Sequence, residues 1–179
     1  ENIQHYKRST LRSQMAFVLQ DPFLFEATVL ENIRYGRLNA TDEEVMEASK
    51  KANAHEFIMK LPEGYHTVLK ADGSEISQGQ KQLLSIARAF VADPSILLLD
   101  EATSNIDTVT ERKIQEALEE LMKGRTSFVI AHRLNTVRNA DMVLVLQEGT
   151  IVESGTQKEL LDKNGIYASM LKQSGGAVS

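Results

Sequence analysis

The sequence predicts an α/β fold in which a mostly parallel sheet is covered by helices on both faces. Short apolar blocks at residues 15–19, 96–99, 127–131 and 142–146 have the length and composition of buried parallel strands. Stretches with apolar residues at helical spacing lie between several of these blocks. Strands that alternate with helices along a chain are typical of parallel sheets with helices on their faces.

The middle of the chain is predicted to be mainly helical, from residue 28 to residue 90. Thr41, with a glutamate three residues later, forms a capping box, and this box starts one helix. That helix is predicted to end at residues 61–64, which contain a proline and a glycine. A second helix is predicted to start at Ser77 and to stop before Asp93 and Pro94.

The carboxyl-terminal part of the chain alternates between strands and helices. Residues 96–99 are predicted to form a buried strand, and Asp107 or Thr108 is predicted to cap the helix that follows. Residues 142–153 are predicted to form a hairpin, and two short helices finish the chain. The predicted inner face of the capped helix consists of Ile114, Ala117, Leu118 and Leu121.

Composition and charge exclude several classes of function. The net charge of −5 and the pI of about 5.4 argue against a nucleic-acid partner, because proteins that bind duplex DNA usually carry a basic face. The absence of cysteine excludes disulfides and thiolate metal sites, and the four histidines lack metal-ligand spacing. No apolar run reaches the roughly 18 residues that a membrane helix needs. Because the chain begins with Glu1, it is expected to be a fragment or a processed product.

Polar side chains follow three of the predicted strands. Gln20, Asp100 and His132 each come directly after an apolar block, and Glu101 follows Asp100. Because the carboxyl ends of parallel strands lie along one edge of the sheet, these side chains are expected to lie near one another. Asp100 suits Mg²⁺, which prefers oxygen ligands, and Glu101 can polarise an attacking water as a general base. Each of these residues also has a simpler interpretation when taken singly. Asp100 and Glu101 would be an acidic helix cap, His132 a structural histidine and Gln20 a solvated glutamine.

A serine and a glycine open the helix predicted at residue 77. Helix N-termini present unpaired N–H groups and a partial positive charge, which together favour phosphate binding. The glycine lacks a side chain that would block a close approach. The alternative is a serine that caps the helix without any ligand. The residues concerned are Ser77, Gln78, Gly79 and Gln80.

The order of these segments resembles that of the ABC ATPase family. Gln20 resembles its Q-loop, residues 77–80 its signature motif, residues 96–101 its Walker B strand, residues 104–107 its D-loop and His132 its H-loop. The resemblance covers nearly the whole chain. The stretches that resemble the exporter branch, in which nucleotide-binding domains are fused to membrane domains, are residues 21–25, 31–36, 85–89 and 151–156.

The resemblance implies a P-loop NTPase (RecA-like) fold, with a mostly parallel sheet and an inserted α-helical subdomain. Residues 1–27, with the Q-loop, and residues 93–173, with the Walker B, D-loop and H-loop segments, belong to the core in this interpretation. Residues 28–92 form the helical subdomain that carries the signature motif, and residues 174–179 form a flexible tail.

The resemblance also implies an ATPase whose ligands are ATP and Mg²⁺. Two such domains pair head to tail around ATP, and their closure and opening drive transport. Asp100 and Gln20 are assigned to Mg²⁺, Glu101 to activation of water and His132 to the γ-phosphate, and Gln20 also counts among the catalytic residues. The expected partners are a second nucleotide-binding domain and transmembrane domains, at the cytoplasmic face of the cell membrane. The residues assigned to cofactor binding are Ser77, Gln78, Gly79, Gln80 and Asp107, the last as a bridge between subunits.

The sequence departs from the family pattern in several places. Nothing in it matches Gly-x-x-x-x-Gly-Lys-Ser/Thr, the loop whose amides and lysine hold the β- and γ-phosphates. In the family that loop lies upstream of the point where this chain begins, so the N-terminal portion of the domain is expected to be missing. The strands that end at Gln20 and Asp100 are then expected to lose packing partners, and the chain alone to bind ATP weakly, if at all. Ile76, Gln78 and Ala71 also replace commoner family residues.

Two other kinds of function compete with the exporter motor: a soluble ABC ATPase, of DNA repair or of translation, and a non-catalytic domain. A soluble ABC ATPase of DNA repair carries a long coiled-coil insertion between the Q-loop and the signature, whereas here the interval is 57 residues and has no heptads. A soluble ABC ATPase of translation normally carries two such domains in one chain. The other possibility is a non-catalytic partial domain that packs against a partner, which failure to hydrolyse ATP would favour.

Overall fold

The computed structural model describes residues 5–70, 73–101, 106–131, 137 and 139–173. The chain divides into two compact units, Glu1–Ile130 and Ala131–Ser179. Among the described residues, no helix is both long enough and apolar enough to cross a membrane.

The first unit contains six helices and a three-stranded sheet within the described residues. The strands lie in the order β1, β2, β3, and β1 and β2 run parallel, as the sequence predicts. A short 3₁₀ turn, Gly64–His66, follows the fourth helix. The strands are β1 (Met15–Val18), β2 (Ile96–Glu101) and β3 (Thr126–Ala131). The helices are α1 (Arg8–Ser13), α2 (Val29–Arg34), α3 (Asp42–Lys51), α4 (His55–Ile58), α5 (Gln78–Ala92) and α6 (Thr108–Met122).

The core of this unit forms around α5. This helix packs against β1, α2, α3 and α6, and its buried residues lie on several sides of it. Among them, Leu83, Leu84 and Ile86 are at most 2% exposed. The inner face predicted for α6 is confirmed, since Ile114, Ala117, Leu118 and Leu121 are all buried. A helix that is apolar on most of its circumference is stable only at the centre of a core.

The helix predicted to run from residue 42 to the turn at residues 61–64 is interrupted. The capping box at Thr41 is confirmed, but α3 ends at Lys51. Asn53 then takes a left-handed conformation with φ of 56°, which no α-helix continues through, and asparagine tolerates this better than most residues. The chain resumes as the short helix α4, so the prediction of one continuous helix was wrong.

The two faces of the sheet differ in burial. Val18, Leu97 and Leu99 on one face are buried. On the opposite face, Phe17 is 59% exposed and Phe128 is 53% exposed. Among the described residues, the helical cover predicted for both faces is therefore present on one. The loss of packing partners expected for the strands that end at Gln20 and Asp100 stays a prediction.

The second unit is a hairpin followed by two helices. The strands β4 (Val143–Gln147) and β5 (Thr150–Gly155) pair antiparallel and confirm the predicted hairpin. Its turn residues Glu148 and Gly149 both have positive φ, which suits the twist of a two-residue hairpin. The helices are α7 (Gln157–Asp162) and α8 (Ile166–Gln173), and the core consists of Val145, Leu160, Tyr167 and Leu171.

A carboxylate joins the hairpin of the second unit to α8. Glu153 accepts hydrogen bonds from the backbone N–H groups of Ile166 at 2.8 Å and Tyr167 at 2.9 Å. The bond from Tyr167, and then that from Ile166, hold the pKa of Glu153 below its usual range. A carboxylate at this position stabilises the helix because the first N–H groups of a helix have no partner within it.

Asn32 fixes the loop that follows β1. Its side chain is 1% exposed, and its Oδ1 accepts a hydrogen bond from the N–H of Phe25 at 2.8 Å. Its Nδ2 donates to the carbonyl oxygens of Phe25 at 3.0 Å, Thr28 at 3.1 Å and Ala27 at 3.3 Å. A buried amide with this set of partners replaces the backbone pairing that a loop lacks.

Arg88 connects the same loop to α5. Its Nε donates to the carbonyl oxygen of Asn32 at 2.9 Å, and its Nη1 donates to that of Phe23 at 3.1 Å. The guanidinium carbon lies 5.7 Å from the ring centroid of Phe25 and 5.5 Å from that of Tyr35. Burial lowers the pKa of Arg88, and the two aromatic rings and the carbonyl oxygens offset part of the free energy of desolvating its charge.

Asn32→Ala should lower the free energy of unfolding by about 1–3 kcal/mol, because it leaves partly buried backbone groups of the loop without their side-chain partner. Urea denaturation followed by circular dichroism measures this change. The control is Asn39→Ala at an exposed position, which should shift stability by no more than about 0.5 kcal/mol. Equal stabilities of the two variants would contradict the role given to Asn32.

Candidate functional site

The carboxyl ends of β1 and β2 lie side by side. In the parallel register Val18 pairs with Leu99, so Gln20 and Glu101 each stand two residues beyond the same pair. Asp100 is a half-buried residue of β2, and Glu101 is the last residue of that strand, with a side chain outside the described part of the chain. The structure thus brings Gln20 to the strand end that carries both acidic residues.

The third predicted strand-end residue cannot be placed in the same way. β3 lies beside β2 and ends at Ala131. His132 follows it in the sequence but lies outside the described residues, as do residues 104–105 of the predicted D-loop.

Within the described residues, no group of three His, Cys, Asp or Glu side chains is placed to hold a metal ion. Mg²⁺ usually takes one or two protein ligands and completes its octahedron with water and phosphate oxygens. Asp100 and Gln20 are oxygen donors of the required kind, at neighbouring strand ends.

A capping box forms the N-terminus of α5. The Oγ of Ser77 accepts a hydrogen bond from the N–H of Gln80 at 3.2 Å, and the Oε1 of Gln80 accepts one from the N–H of Ser77 at 2.8 Å. The predicted start of this helix is therefore confirmed. The two side chains hold the first turn in place, which is the structural alternative considered for Ser77; a contact of either with phosphate stays a prediction.

Gly79 allows a close contact between α5 and the start of α6. A Cβ at this buried position would lie 2.4 Å from Cγ2 of Thr110 and 3.2 Å from Cγ2 of Ile106. The sequence pattern alone suggests that this glycine allows a phosphate to approach closely. Packing within the chain already requires it, since any larger residue would force the two helices apart.

Gln78 reaches from the first turn of α5 to the loop after β1. Its Nε2 donates to the carbonyl oxygen of Gln20 at 3.3 Å and to Oδ1 of Asp21 at 3.2 Å. These partners are 58 and 57 residues away in sequence, so no local pattern could have predicted the contact. The segments that resemble the Q-loop and the signature motif are thereby joined within one chain.

Asp107, and not Thr108, is the residue that caps α6. Its carboxylate accepts hydrogen bonds from the N–H groups of Thr110 at 2.9 Å and Val109 at 3.1 Å. The bonds from Thr110 contribute most to holding the pKa of Asp107 below its usual range. The carboxylate is fully exposed, so a role as a bridge to another subunit stays a prediction.

Comparisons with known proteins agree with the motif order. A family model described as ABC transporter matches residues 1–104. An ABC transporter ATP-binding protein of Bacillus subtilis, YfiC, is 60% identical over 169 residues, which are 94% of this chain and 28% of that protein. The fatty acid ABC transporter ATP-binding/permease protein of Mycobacterium tuberculosis is 51% identical over 171 residues, 96% of this chain and 27% of that protein. The chain thus spans less than a third of these relatives' length.

A solved structure of a bacterial Atm1-family ABC exporter with ATP bound matches the fold. The alignment covers 100% of this chain and 31% of the exporter chain, with a TM-score of 0.88 and 40% sequence identity. This likeness confirms the predicted α/β fold class.

Gly79→Ala should destabilise the fold by about 1–3 kcal/mol, because the added methyl overlaps Cγ2 of Thr110. Thr110→Ser removes that Cγ2 and keeps a hydroxyl. The double variant should therefore lose less stability than the sum of the two single variants, by roughly 1 kcal/mol. Urea unfolding of all four proteins measures this coupling, and strictly additive effects would show that the methyl contact is not the reason for the glycine.

Proposed function

Because the chain belongs to the ABC transporter family, we propose that it supplies the ATP-binding and ATP-hydrolysing motor of an exporter, in which hydrolysis powers transport across a membrane. The observation that carries this proposal is the pair of contacts made by the end of β1. The end of β1, with Gln20, lies beside the end of β2, with Asp100, and it is hydrogen-bonded to Gln78 at the start of α5. In this family the first two segments serve one ATP, and the start of the helix serves the ATP of a partner domain.

The edge of the sheet is proposed to carry the chemistry. Asp100 and Gln20 would hold Mg²⁺, and Glu101 would take a proton from the attacking water as general base. His132 would donate a hydrogen bond to the γ-phosphate. When bound, Mg²⁺ neutralises charge on the β- and γ-phosphate oxygens. The position of Gln20 and Glu101, each two residues beyond the same strand pair, supports this division of roles.

The start of α5 is proposed to serve the ATP bound by a partner domain. Its first turn is held rigid by the capping box, and the positive end of the helix favours a phosphate. Ser77, Gly79 and Gln80 would contact the γ-phosphate there, while Asp107 would reach across to the other subunit. The rigidity of the turn matters because a phosphate site works best when its N–H groups need no reorganisation.

The proposed partners are a second nucleotide-binding domain and the transmembrane domains of the transporter, at the cytoplasmic face of the membrane. The Mycobacterium relative is named as an ATP-binding/permease protein, and the solved structure is an ABC exporter, which supports this assembly. The DNA-repair and translation alternatives are not favoured, because these relatives are transport proteins. The division of this chain into a core and a helical subdomain, with the subdomain at residues 28–92, is part of the same proposal.

Glu101→Gln in the transporter that carries this domain should keep ATP binding and reduce steady hydrolysis by about 10²–10⁴-fold, because loss of a general base removes a contribution of that size. Phosphate release and equilibrium binding of a fluorescent ATP analogue measure the two effects. Glu119→Gln, at an exposed position of α6, is the matched control and should hydrolyse ATP at the normal rate. Undiminished turnover by Glu101→Gln would overturn the base assignment.

A further inference from the structure

The side chain of Gln78 connects the end of β1, which the proposed function assigns to Mg²⁺, with the start of α5, which it assigns to the ATP of a partner domain. Its Nε2 lies 3.3 Å from the carbonyl oxygen of Gln20 and 3.2 Å from Oδ1 of Asp21. Both neighbours are acceptors, so the amide must present its nitrogen to them and its oxygen elsewhere. The side chain of Gln78 is half-buried, whereas its two partners lie at exposed positions.

We propose that Gln78 is a positioning residue that fixes residues 20 and 21 at the end of β1, and through them the position from which Gln20 meets Mg²⁺. This inference rests on the proposed function, and it gives the residue at position 78 a task distinct from contact with nucleotide. The bond from Gln78 acts on the backbone of Gln20, so it sets where the Gln20 side chain starts without occupying it.

The surroundings of Gln78 make it an effective anchor. It lies in the first turn of α5, which the capping box of Ser77 and Gln80 and the packing at Gly79 hold in place. The loop beyond is held at Phe23 by Arg88. Residues 20 and 21 lie between that anchor and β1, and within the described residues the side-chain hydrogen bonds that reach them come from Gln78.

The sharpest variant is Gln78→Glu, which keeps the size of the side chain and replaces the donor with an acceptor. The new carboxylate would face the carboxylate of Asp21 and the carbonyl oxygen of Gln20, and like charges repel. In the transporter that carries this domain, the Mg²⁺ concentration for half-maximal ATP hydrolysis should rise roughly fivefold, the equivalent of one ordinary hydrogen bond.

A second readout needs neither nucleotide nor metal. Amide hydrogen exchange of residues 19–21 in the metal-free transporter should accelerate roughly fivefold in Gln78→Glu, because local opening becomes easier when this bond is lost. A variant that is merely less stable would instead exchange faster throughout the domain.

Gln115→Glu is the matched control. Gln115 donates from its Nε2 to Oε1 of Glu119 at 3.3 Å on α6, so the same substitution there also places two carboxylates together. It should leave both readouts unchanged. The rescue variant combines Gln78→Glu with Asp21→Asn, which reverses donor and acceptor across the same contact. It should return the Mg²⁺ dependence to within about twofold of the unsubstituted protein, since one of the two bonds is restored.

A shift in both readouts that is confined to Gln78→Glu and reversed by Asp21→Asn supports the inference. Unchanged exchange at residues 19–21 overturns it, and so does a fall in rate without a shift in Mg²⁺ dependence. If the unsubstituted transporter fails to hydrolyse ATP, the proposed function fails and the Mg²⁺ role of Gln78 with it. The exchange measurement then still separates that failure from one of the contact itself.

Discussion

The packing of α5 is the constraint on which the rest of the first unit depends. The helix is buried on most sides, and it contacts β1, α2, α3 and α6. A buried helix cannot rotate or shift by a residue without exposing apolar side chains or leaving cavities, each worth several kcal/mol. The direction of α5, and therefore the position of its N-terminus, is set by this packing.

The polar residues of α5 extend that constraint to its surroundings. Near one end of the helix, Gln78 bonds to the loop after β1 and Gly79 lets the first turn of α6 approach. Farther along, Arg88 and Asn32 hold the remainder of the loop. Segments that resemble the Q-loop, the signature motif and the D-loop are thus positioned by one helix. A displacement of any one of these segments should therefore shift the others. Such coupling suits a domain proposed to open and close around ATP.

Features written in short stretches of sequence could be predicted. The strand at residues 96–99, the capping box at Thr41, the start of α5 at Ser77 and the hairpin were all correctly placed, because each depends on neighbours within a few residues. Two further capping boxes, at Thr28 and Thr156, show the same Thr-x-x-Glu pattern in the sequence and were overlooked. The break after Lys51 was missed because asparagine in a left-handed conformation leaves only a weak local signal.

Features that depend on tertiary packing could not be predicted. The partners of Gln78 are more than 50 residues away, and the steric reason for Gly79 is a methyl group on another helix. The serine-glycine pattern at the start of α5 predicted a helix N-terminus. It could not reveal that the side chains of Ser77 and Gln80 and the missing side chain of Gly79 already serve the fold. The functional assignments of Asp100, Glu101 and His132 came from the order of motifs, which no single residue carries.

Native-state hydrogen exchange tests most directly whether α5 is the element on which the others depend. The account predicts that the central amides of α5, residues 83–91, exchange only through global unfolding. Their free energy of exchange should then equal the free energy of unfolding obtained with urea. If these amides exchanged through a local opening of much lower free energy while α3 and β2 stayed protected, α5 would be a dependent element and the account would be contradicted.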